Sequence, residues 1–174
     1  EGYWTDIGNI DSFFEANIGL TDDLPKFNLF DNDNKIFTRP RLLPPTKFKK
    51  TSIYKSIFSN GCIINAKEIA SSVIGSRSRI GSDTIIHSTY VMGNDFYQNI
   101  NDMEEDVKNN KILMGIGERC FIKNTIVDKN CRIGNDVHIN GGKHLENIAN
   151  ELYVIKDGIV VIKKGAIIPN NFTI

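Results

Sequence analysis

The most constraining feature of this sequence is an aliphatic residue that returns every six positions. From residue 57 to residue 92 the spacing is six with one step of five, and a similar run with one step of five extends from residue 116 to residue 139. A third run lies near the end of the chain. The residues of this series are Ile57, Ile63, Ile69, Ile74, Ile80, Ile86, Met92, Ile116, Ile122, Val127, Ile133, Ile139, Ile155, Val161 and Ile167. Neither a helix, with a period of about 3.6 residues, nor a simple strand explains this spacing.

A period of six is typical of a parallel β-helix built from hexapeptide repeats. Each step forms a short strand and a turn, one aliphatic side chain per step points inward, and three steps close one rung. Each interior Ile or Val contributes roughly 1.5–3 kcal/mol of burial. No rung is stable alone, so several must stack. The alternative is an ordinary β-sandwich with fortuitous spacing, but two separate runs that share the slip from six to five argue against it.

Three segments lie outside the repeating array. Residues 94–112 break the series, and a mostly charged helix near 102–107 predicts an insertion that leaves one face of the β-helix and returns. Residues 9–19 predict a helix that Asn9 caps. Residues 21–50 carry four of the five prolines, so we expect an extended connector there.

Charge and composition argue against several classes of protein. Lys plus Arg and Asp plus Glu both number 21, so the formal net charge is zero, which argues against a nucleic-acid binder. No apolar stretch approaches the ~18 residues that a membrane-spanning helix needs. The three cysteines, at positions 62, 120 and 131, lack metal-ligand spacing and predict free or buried thiols in a reducing compartment.

Of the three histidines, His87 suggests a second kind of function, whereas His138 and His144 are isolated. Hexapeptide-repeat acyltransferases use a histidine on one face of the β-helix as a base. In that alternative the protein would be a trimer with coenzyme A bound between prisms. The insertion, the proline-rich connector and the N-terminal helix argue against it.

Several stretches, taken in order, identify a family. They are EGYWTDIG, SFFEAN, TRPRLLPPTK, GSRSRIG, MGNDFYQ, GIGERCFIKNTIVDKNCRIGNDV and DGIVVIKKGAII. Together they resemble the C-terminal part of ADP-glucose pyrophosphorylase (glucose-1-phosphate adenylyltransferase) of the plant and cyanobacterial type. The resemblance covers nearly all 174 residues, and the ordered set is far more specific than any single piece.

The resemblance implies a fold and a reaction. Residues 51–174 would form a left-handed parallel β-helix, and residues 1–50 would supply a short helix, a linker and the C-terminal edge of an α/β nucleotidyltransferase domain. Members of this family make ADP-glucose and pyrophosphate from ATP and glucose 1-phosphate for starch or glycogen synthesis. Their nucleotide loop and catalytic basic residues precede the matching stretches, so we expect this chain to be a C-terminal fragment that is inactive alone.

The resemblance also implies a magnesium ligand. Asp6 of EGYWTDIG matches an acid that resembles the family's ligand near the sugar phosphate. A second acid from upstream would complete the site. Magnesium prefers hard oxygen ligands, usually one or two carboxylates together with phosphate oxygens. Asp6 alone is therefore expected to bind the metal weakly.

The resemblance implies an anion-binding set in which Arg41, Lys129 and Lys164 match the family and to which Arg39 and Asp128 are added as their neighbours. In the photosynthetic type, 3-phosphoglycerate activates the enzyme and phosphate inhibits it. Lysine and arginine bind such anions through charge-assisted hydrogen bonds. The resemblance further implies a homo- or heterotetramer in a plastid stroma or a bacterial cytoplasm, with neither a nucleic acid nor a membrane as partner.

Overall fold

β-Strands supply most of the regular structure of the chain, which a computed structural model describes over residues 3–33 and 35–174. Two α-helices lie in these residues, α1 (Ile10–Ile18) and α2 (Ile100–Lys108), and a 3-10 turn, Gly19–Thr21, follows the first. In chain order the strands are β1 (Lys47–Phe48), β2 (Ser52–Tyr54), β3 (Ile57–Phe58), β4 (Ile63–Ile64), β5 (Glu68–Ala70), β6 (Val73–Ile74), β7 (Arg79–Ile80), β8 (Ile85–Val91), β9 (Gly115–Ile116), β10 (Phe121–Val127), β11 (Arg132–Ile133), β12 (His138–Asn140), β13 (Ile148–Ala149), β14 (Tyr153–Lys156), β15 (Ile159–Ile162) and β16 (Ile167–Ile168). Neither helix in the described chain is long and apolar enough to cross a membrane.

Short parallel strands stack into three faces of a prism. The first face has the order β1, β4, β7, β9, β11 and β16. The second face consists of β2, β5, the first half of β8, the first half of β10 and β12. The third face consists of β3, β6, the second halves of β8 and β10, and β15. The predicted parallel β-helix is therefore confirmed.

The corners of the prism are made by residues in the left-handed region of φ. Lys55, Ser71, Ser88 and Asn124 take the same corner in successive rungs, with φ between 42° and 47°. Each follows directly after a residue that is paired with its counterpart in the neighbouring strand. Non-glycine residues adopt this conformation infrequently. Its recurrence in each rung shows that the turn is imposed by the stacking of rungs rather than by one residue type.

Aliphatic side chains fill the interior of the prism. The inward residues that are at most 6% exposed are Ile64, Ile69, Ile74, Ile80, Ile86, Val91, Ile116, Ile122, Val127, Ile133, Ile139, Ile162 and Ile168. The three cysteines are also buried and free, as predicted. Burial raises the pKa of the Cys131 thiol to about 11, so this thiol is protonated at neutral pH.

At five places the predicted inward residue is wrong by one position. The members of the predicted series at these places are Ile57, Ile63, Met92, Val161 and Ile167. The residues that face the core instead are Phe58, Ile64, Val91, Ile162 and Ile168. In each pair the two neighbours are both apolar, so spacing alone does not distinguish them. Successive side chains of a strand point to opposite faces, so a shift of one residue exchanges inside for outside.

Two segments leave the prism and return to it. Between β8 and β9 lies a segment that contains α2, and we call residues 94–112 the arm. Between β12 and β16 the chain forms an antiparallel meander in which β14 pairs with both β13 and β15. Ile155, which the six-residue series places inside a rung, lies in β14 of this meander.

Helix α1 packs against the third face of the prism. The Asn9 side chain caps it by accepting a hydrogen bond from the Ser12 N–H at 2.8 Å, as predicted. The Phe13 ring lies 5.7 Å from the Tyr90 ring, which belongs to β8. After α1 the described residues from 22 to 46 form neither a helix nor a strand. The ion pair between Lys55 and Asp23, at 2.8 Å, ties this segment to the prism.

Candidate functional site

Two lysines of the predicted anion-binding set occupy equivalent positions at one corner of consecutive rungs. Strands β10 and β15 pair just before this corner and β11 and β16 pair just after it, with the same offset along the sequence. Lys129 and Lys164 therefore lie in matching positions. The residue after each, Asn130 or Gly165, has a positive φ, 61° and 71° respectively. The Gly165 N–H donates to the Lys129 carbonyl at 2.9 Å, which fixes the stack.

A carboxylate from the preceding rung lies between the two lysines. Asp95 Oδ1 is 2.7 Å from Lys129 Nζ, and Asp95 Oδ2 is 3.8 Å from Lys164 Nζ. The Asn130 amide donates to Oδ2 at 3.0 Å, and its own oxygen accepts from the Asp95 N–H at 2.9 Å. The three charged side chains are between 40% and 62% exposed, so an anion in solution can reach them.

Asp128 adds a second carboxylate to this group. Its Oδ1 accepts a hydrogen bond from the Lys129 N–H at 2.6 Å. We call Asp95, Asp128, Lys129 and Lys164 the lysine corner. Its two ammonium groups and two carboxylates have opposite formal charges that sum to zero.

Electrostatics keeps Asp95 ionised. The hydrogen bond from Lys129 lowers the pKa of Asp95 most, the hydrogen bond from Asn130 lowers it further, and partial desolvation opposes both. The carboxylate is therefore charged at neutral pH. Because the side chains are open to solvent, each ion pair stabilises the fold by only about 0–1 kcal/mol.

The lysine corner lies close to the helix α1 contact. Burial raises the pKa of Tyr90, the Lys129 charge opposes this increase and the Asp128 charge adds to it. The same Tyr90 ring packs against Phe13 of α1. A change of charge at the corner is thus felt by a residue that contacts the N-terminal helix.

A comparison with known families places the chain. A family model described as the GLGC left-handed parallel beta-helix domain matches residues 41–173. The chain belongs to this family, and its β-helix is that of the C-terminal part of ADP-glucose pyrophosphorylase. The predicted family and the left hand of the β-helix, which spacing alone does not set, are both confirmed. The match lends the acyltransferase alternative no support.

The two arginines of the predicted set take no part in the hydrogen bonds and ion pairs described above for the lysine corner of this GLGC β-helix. Arg39 and Arg41 are exposed and belong to the segment before β1. Within residues 3–33 and 35–174, neither guanidinium makes a hydrogen bond or an ion pair. The structure brings Asp128, Lys129 and Lys164 together, and a role for Arg39 and Arg41 stays a prediction.

The predicted magnesium ligand, Asp6, is exposed and precedes the residues that match the GLGC domain. Asp6 Oδ1 accepts a hydrogen bond from the Gly8 N–H at 2.9 Å. In the described residues, no group of three or more His, Cys, Asp or Glu side chains converges as a metal site requires. These residues do not form a magnesium site by themselves. Glu1 and Gly2, which open the same motif, lie outside the described residues.

His87 is a member of a cross-strand pair in the GLGC prism. Its Nε2 lies 2.6 Å from Glu68 Oε1 on the neighbouring strand, and its ring lies 6.1 Å from Phe121. Phe121 in turn stacks on His138 at 4.9 Å. Such ladders are the usual means by which outward side chains stabilise a sheet face.

Asp95 is the residue of the corner that sequence reasoning missed. It lies in the stretch MGNDFYQ, at the point where the six-residue series breaks and the arm begins. It meets Asn130 and the lysines only because the preceding rung stacks beneath them, as the hydrogen bond from the Asn130 N–H to the Gly93 carbonyl shows. The break in the repeat is the only sequence signal that points to it.

Arg132 holds the arm of the GLGC domain against the first face. Its Nη1 donates to Asp106 Oδ2 at 2.8 Å and also to the Ile112 carbonyl. The Gln98 amide donates to the same carboxylate, whose side chain is 13% exposed. Arg132 thus joins Asp106 of α2 and Ile112, the last residue of the arm, to strand β11.

Arg132→Met is expected to loosen the arm. The substitution removes the charged hydrogen bonds from Arg132 to the Asp106 carboxylate and the Ile112 carbonyl, which hold the arm to the first face. Hydrogen–deuterium exchange should become faster in α2 while the central rungs stay protected. Arg79→Met is the matched control, because Arg79 lies on the same face and has no ion pair or side-chain hydrogen bond in the described residues. Equal exchange in both variants would contradict the anchoring role.

Proposed function

We propose that this chain is the regulatory and assembly part of an enzyme that makes ADP-glucose and pyrophosphate from ATP and glucose 1-phosphate. In this proposal the lysine corner binds a phosphate-bearing effector such as 3-phosphoglycerate or phosphate. The observation that carries it is the convergence of Lys129 and Lys164 on one exposed carboxylate. Membership of the ADP-glucose pyrophosphorylase family supports the reaction assigned to the whole enzyme.

The chemistry of the corner suits an anion with more than one negative charge. A phosphoglycerate carries a phosphate and a carboxylate, and two ammonium groups from adjacent rungs can contact both ends. Charge-assisted hydrogen bonds of this kind contribute roughly 1.5–3 kcal/mol each. Arg39 and Arg41 are exposed and free to add bidentate contacts when the segment before β1 approaches the ligand.

The segment before β1 exposes apolar side chains that another domain or subunit could cover. Its apolar side chains that are at least 83% exposed are Trp4, Leu24, Phe30, Phe37 and Leu42. A concentration of exposed apolar groups typically marks a contact surface. In our proposal residues 1–50 supply the C-terminal edge of a nucleotidyltransferase domain and the linker to the prism, and the whole enzyme is a homo- or heterotetramer in a plastid stroma or a bacterial cytoplasm. Magnesium would be held at that domain with Asp6 as one ligand.

Effector binding can control catalysis only through a difference in affinity between two arrangements. The contact between Tyr90 and Phe13 offers a route, because Tyr90 lies near the corner charges and Phe13 belongs to α1. In our proposal an anion at the corner controls catalysis if it binds one packing of α1 on the prism more tightly than another.

Lys129→Ala is expected to weaken phosphate and 3-phosphoglycerate binding by about tenfold to a hundredfold, the equivalent of one lost charged contact. NMR titration of the 174-residue chain measures the dissociation constant, and the activator response of an enzyme containing this chain measures the functional effect. The matched control is Lys156→Ala, because Lys156 pairs only with its neighbour Asp157.

Two results would contradict effector binding at the lysine corner. One is anion binding that is unchanged in both Lys129→Ala and Lys164→Ala. The other is specific binding of coenzyme A with no response to phosphate or 3-phosphoglycerate, which would favour the acyltransferase alternative. Synthesis of ADP-glucose by the 174-residue chain alone would contradict the proposal that catalysis belongs to the nucleotidyltransferase domain and that this chain supplies regulation and assembly.

A further inference from the structure

We propose that Asp95 is an internal ligand of the lysine corner, which an incoming anion must displace, and that it thereby sets which anions bind. This inference rests on the proposed function, since it assumes that Lys129 and Lys164 bind the effector. Asp95 uses one carboxylate oxygen for each lysine, at 2.7 and 3.8 Å. This is the arrangement that an external carboxylate or phosphate would adopt.

The charge balance makes this competition unavoidable. The ammonium groups of both lysines approach the Asp95 carboxylate, whereas Asp128 accepts a hydrogen bond from the Lys129 backbone N–H. An external anion placed between the lysines would meet Asp95 at contact distance, where like charges repel each other. Either the Asp95 carboxylate moves away or the external anion binds weakly.

The backbone around Asp95 restricts the displacement to its side chain. The preceding residue, Asn94, is buried, and its N–H and side-chain amide donate to the Ser76 and Arg77 carbonyls at 2.8 and 2.9 Å. The Asp95 N–H is held by Asn130. The carboxylate itself is 42% exposed, so it can rotate into solvent without movement of the arm.

Such an internal carboxylate discriminates between external anions. A side chain already held at the corner competes without the loss of translational and rotational freedom that an external anion undergoes on binding. A monocarboxylate carries the same charge as Asp95 and gains nothing by exchange with it. A phosphate dianion makes stronger contacts with two ammonium groups and can take its place. The structure thus favours dianionic phosphates or phosphorylated carboxylates over simple monoanions.

The test is a titration of the 174-residue chain with inorganic phosphate and with acetate, followed by NMR at Lys129 and Asn130. Asp95→Asn is expected to bind phosphate about tenfold more tightly than the unaltered chain. The same variant should also bind acetate, which the unaltered chain should bind at least tenfold more weakly than phosphate. Asp95→Ala serves as a second variant. Asp157→Asn is the control for net charge, because the ion pair of Asp157 is with Lys156 and not with Lys129 or Lys164.

The outcomes separate the two proposals. If Lys129→Ala weakens phosphate binding but neither Asp95 variant strengthens it, the proposed function stands and the role of Asp95 is wrong. Weaker phosphate binding in Asp95→Asn would also overturn the inference, because it would mean that Asp95 orients the lysines. The proposed function fails, and this inference with it, if the chain does not bind phosphate. The same holds if Lys129→Ala leaves phosphate binding unchanged both in the otherwise unaltered chain and in the Asp95→Asn variant.

Discussion

Ile122→Ala is expected to lower the free energy of unfolding by about 2–5 kcal/mol, the cost of removing a fully buried aliphatic side chain and leaving a cavity. Ile122 is 0% exposed and lies in the middle of the interior column, paired in register with Ile86 on one side and Ile139 on the other. Neighbours held in a stack by backbone hydrogen bonds cannot collapse easily into the gap. Urea denaturation of the 174-residue chain measures the change.

Ile100→Ala is the matched control for this prediction. Ile100 opens helix α2 and is 73% exposed, so the same truncation should change stability by no more than about 0.5 kcal/mol. An equal loss of unfolding free energy in both variants would show that the buried aliphatic side chains inside the prism do not dominate its stability.

Gly81→Ala is expected to destabilise the chain by about 1–3 kcal/mol or more through overpacking. A Cβ at this position would lie 2.5 Å from the Gly117 carbonyl oxygen and 2.8 Å from the Glu118 nitrogen. Both are backbone atoms of the next rung and cannot turn aside. The Gly81 N–H also donates to the Ile116 carbonyl at 2.9 Å, so separation of the rungs would weaken their pairing.

The same measurement on Gly19→Ala provides the control. Gly19 has a φ of −60°, and the nearest atom to an added Cβ is 3.9 Å away. Alanine there should be neutral or slightly stabilising, because it reduces the freedom of the unfolded chain. Normal stability of Gly81→Ala, with normal amide protection at residues 116 and 117, would contradict the close packing of these rungs.

The repeat in the sequence is enough to predict the prism, but not the phase of each strand. Ile69 and Ile80 are correctly predicted to point inward because their neighbours in the sequence are charged or small. Ile63 and Ile64 are equally apolar, and only the pairing of Ile64 with Ile80 in the next strand decides which is buried. Phase therefore depends on tertiary stacking.

The site was predictable only in part, for a similar reason. Lys129 and Lys164 follow from the family resemblance, and the equal offset of the rungs explains why they meet. Asp95 was missed because the preceding rung carries it to the corner, and the break in the repeat marks its place without indicating its partners. The roles of Arg39 and Asp6 stay predictions, as do magnesium, the effectors and the tetramer.

The stacked corners give the lysine pair a fixed length scale. Backbone hydrogen bonding sets neighbouring parallel strands about 4.8 Å apart, and the two lysine backbones inherit that distance. The side chains can adapt, but the separation of their attachment points cannot. Attachment points two rungs apart would be near 9.6 Å from each other on the same ~4.8 Å spacing. In this fold, the backbone positions that carry a binding site change their separation along the axis only in whole rungs, while flexible lysine stems adjust the charges between them.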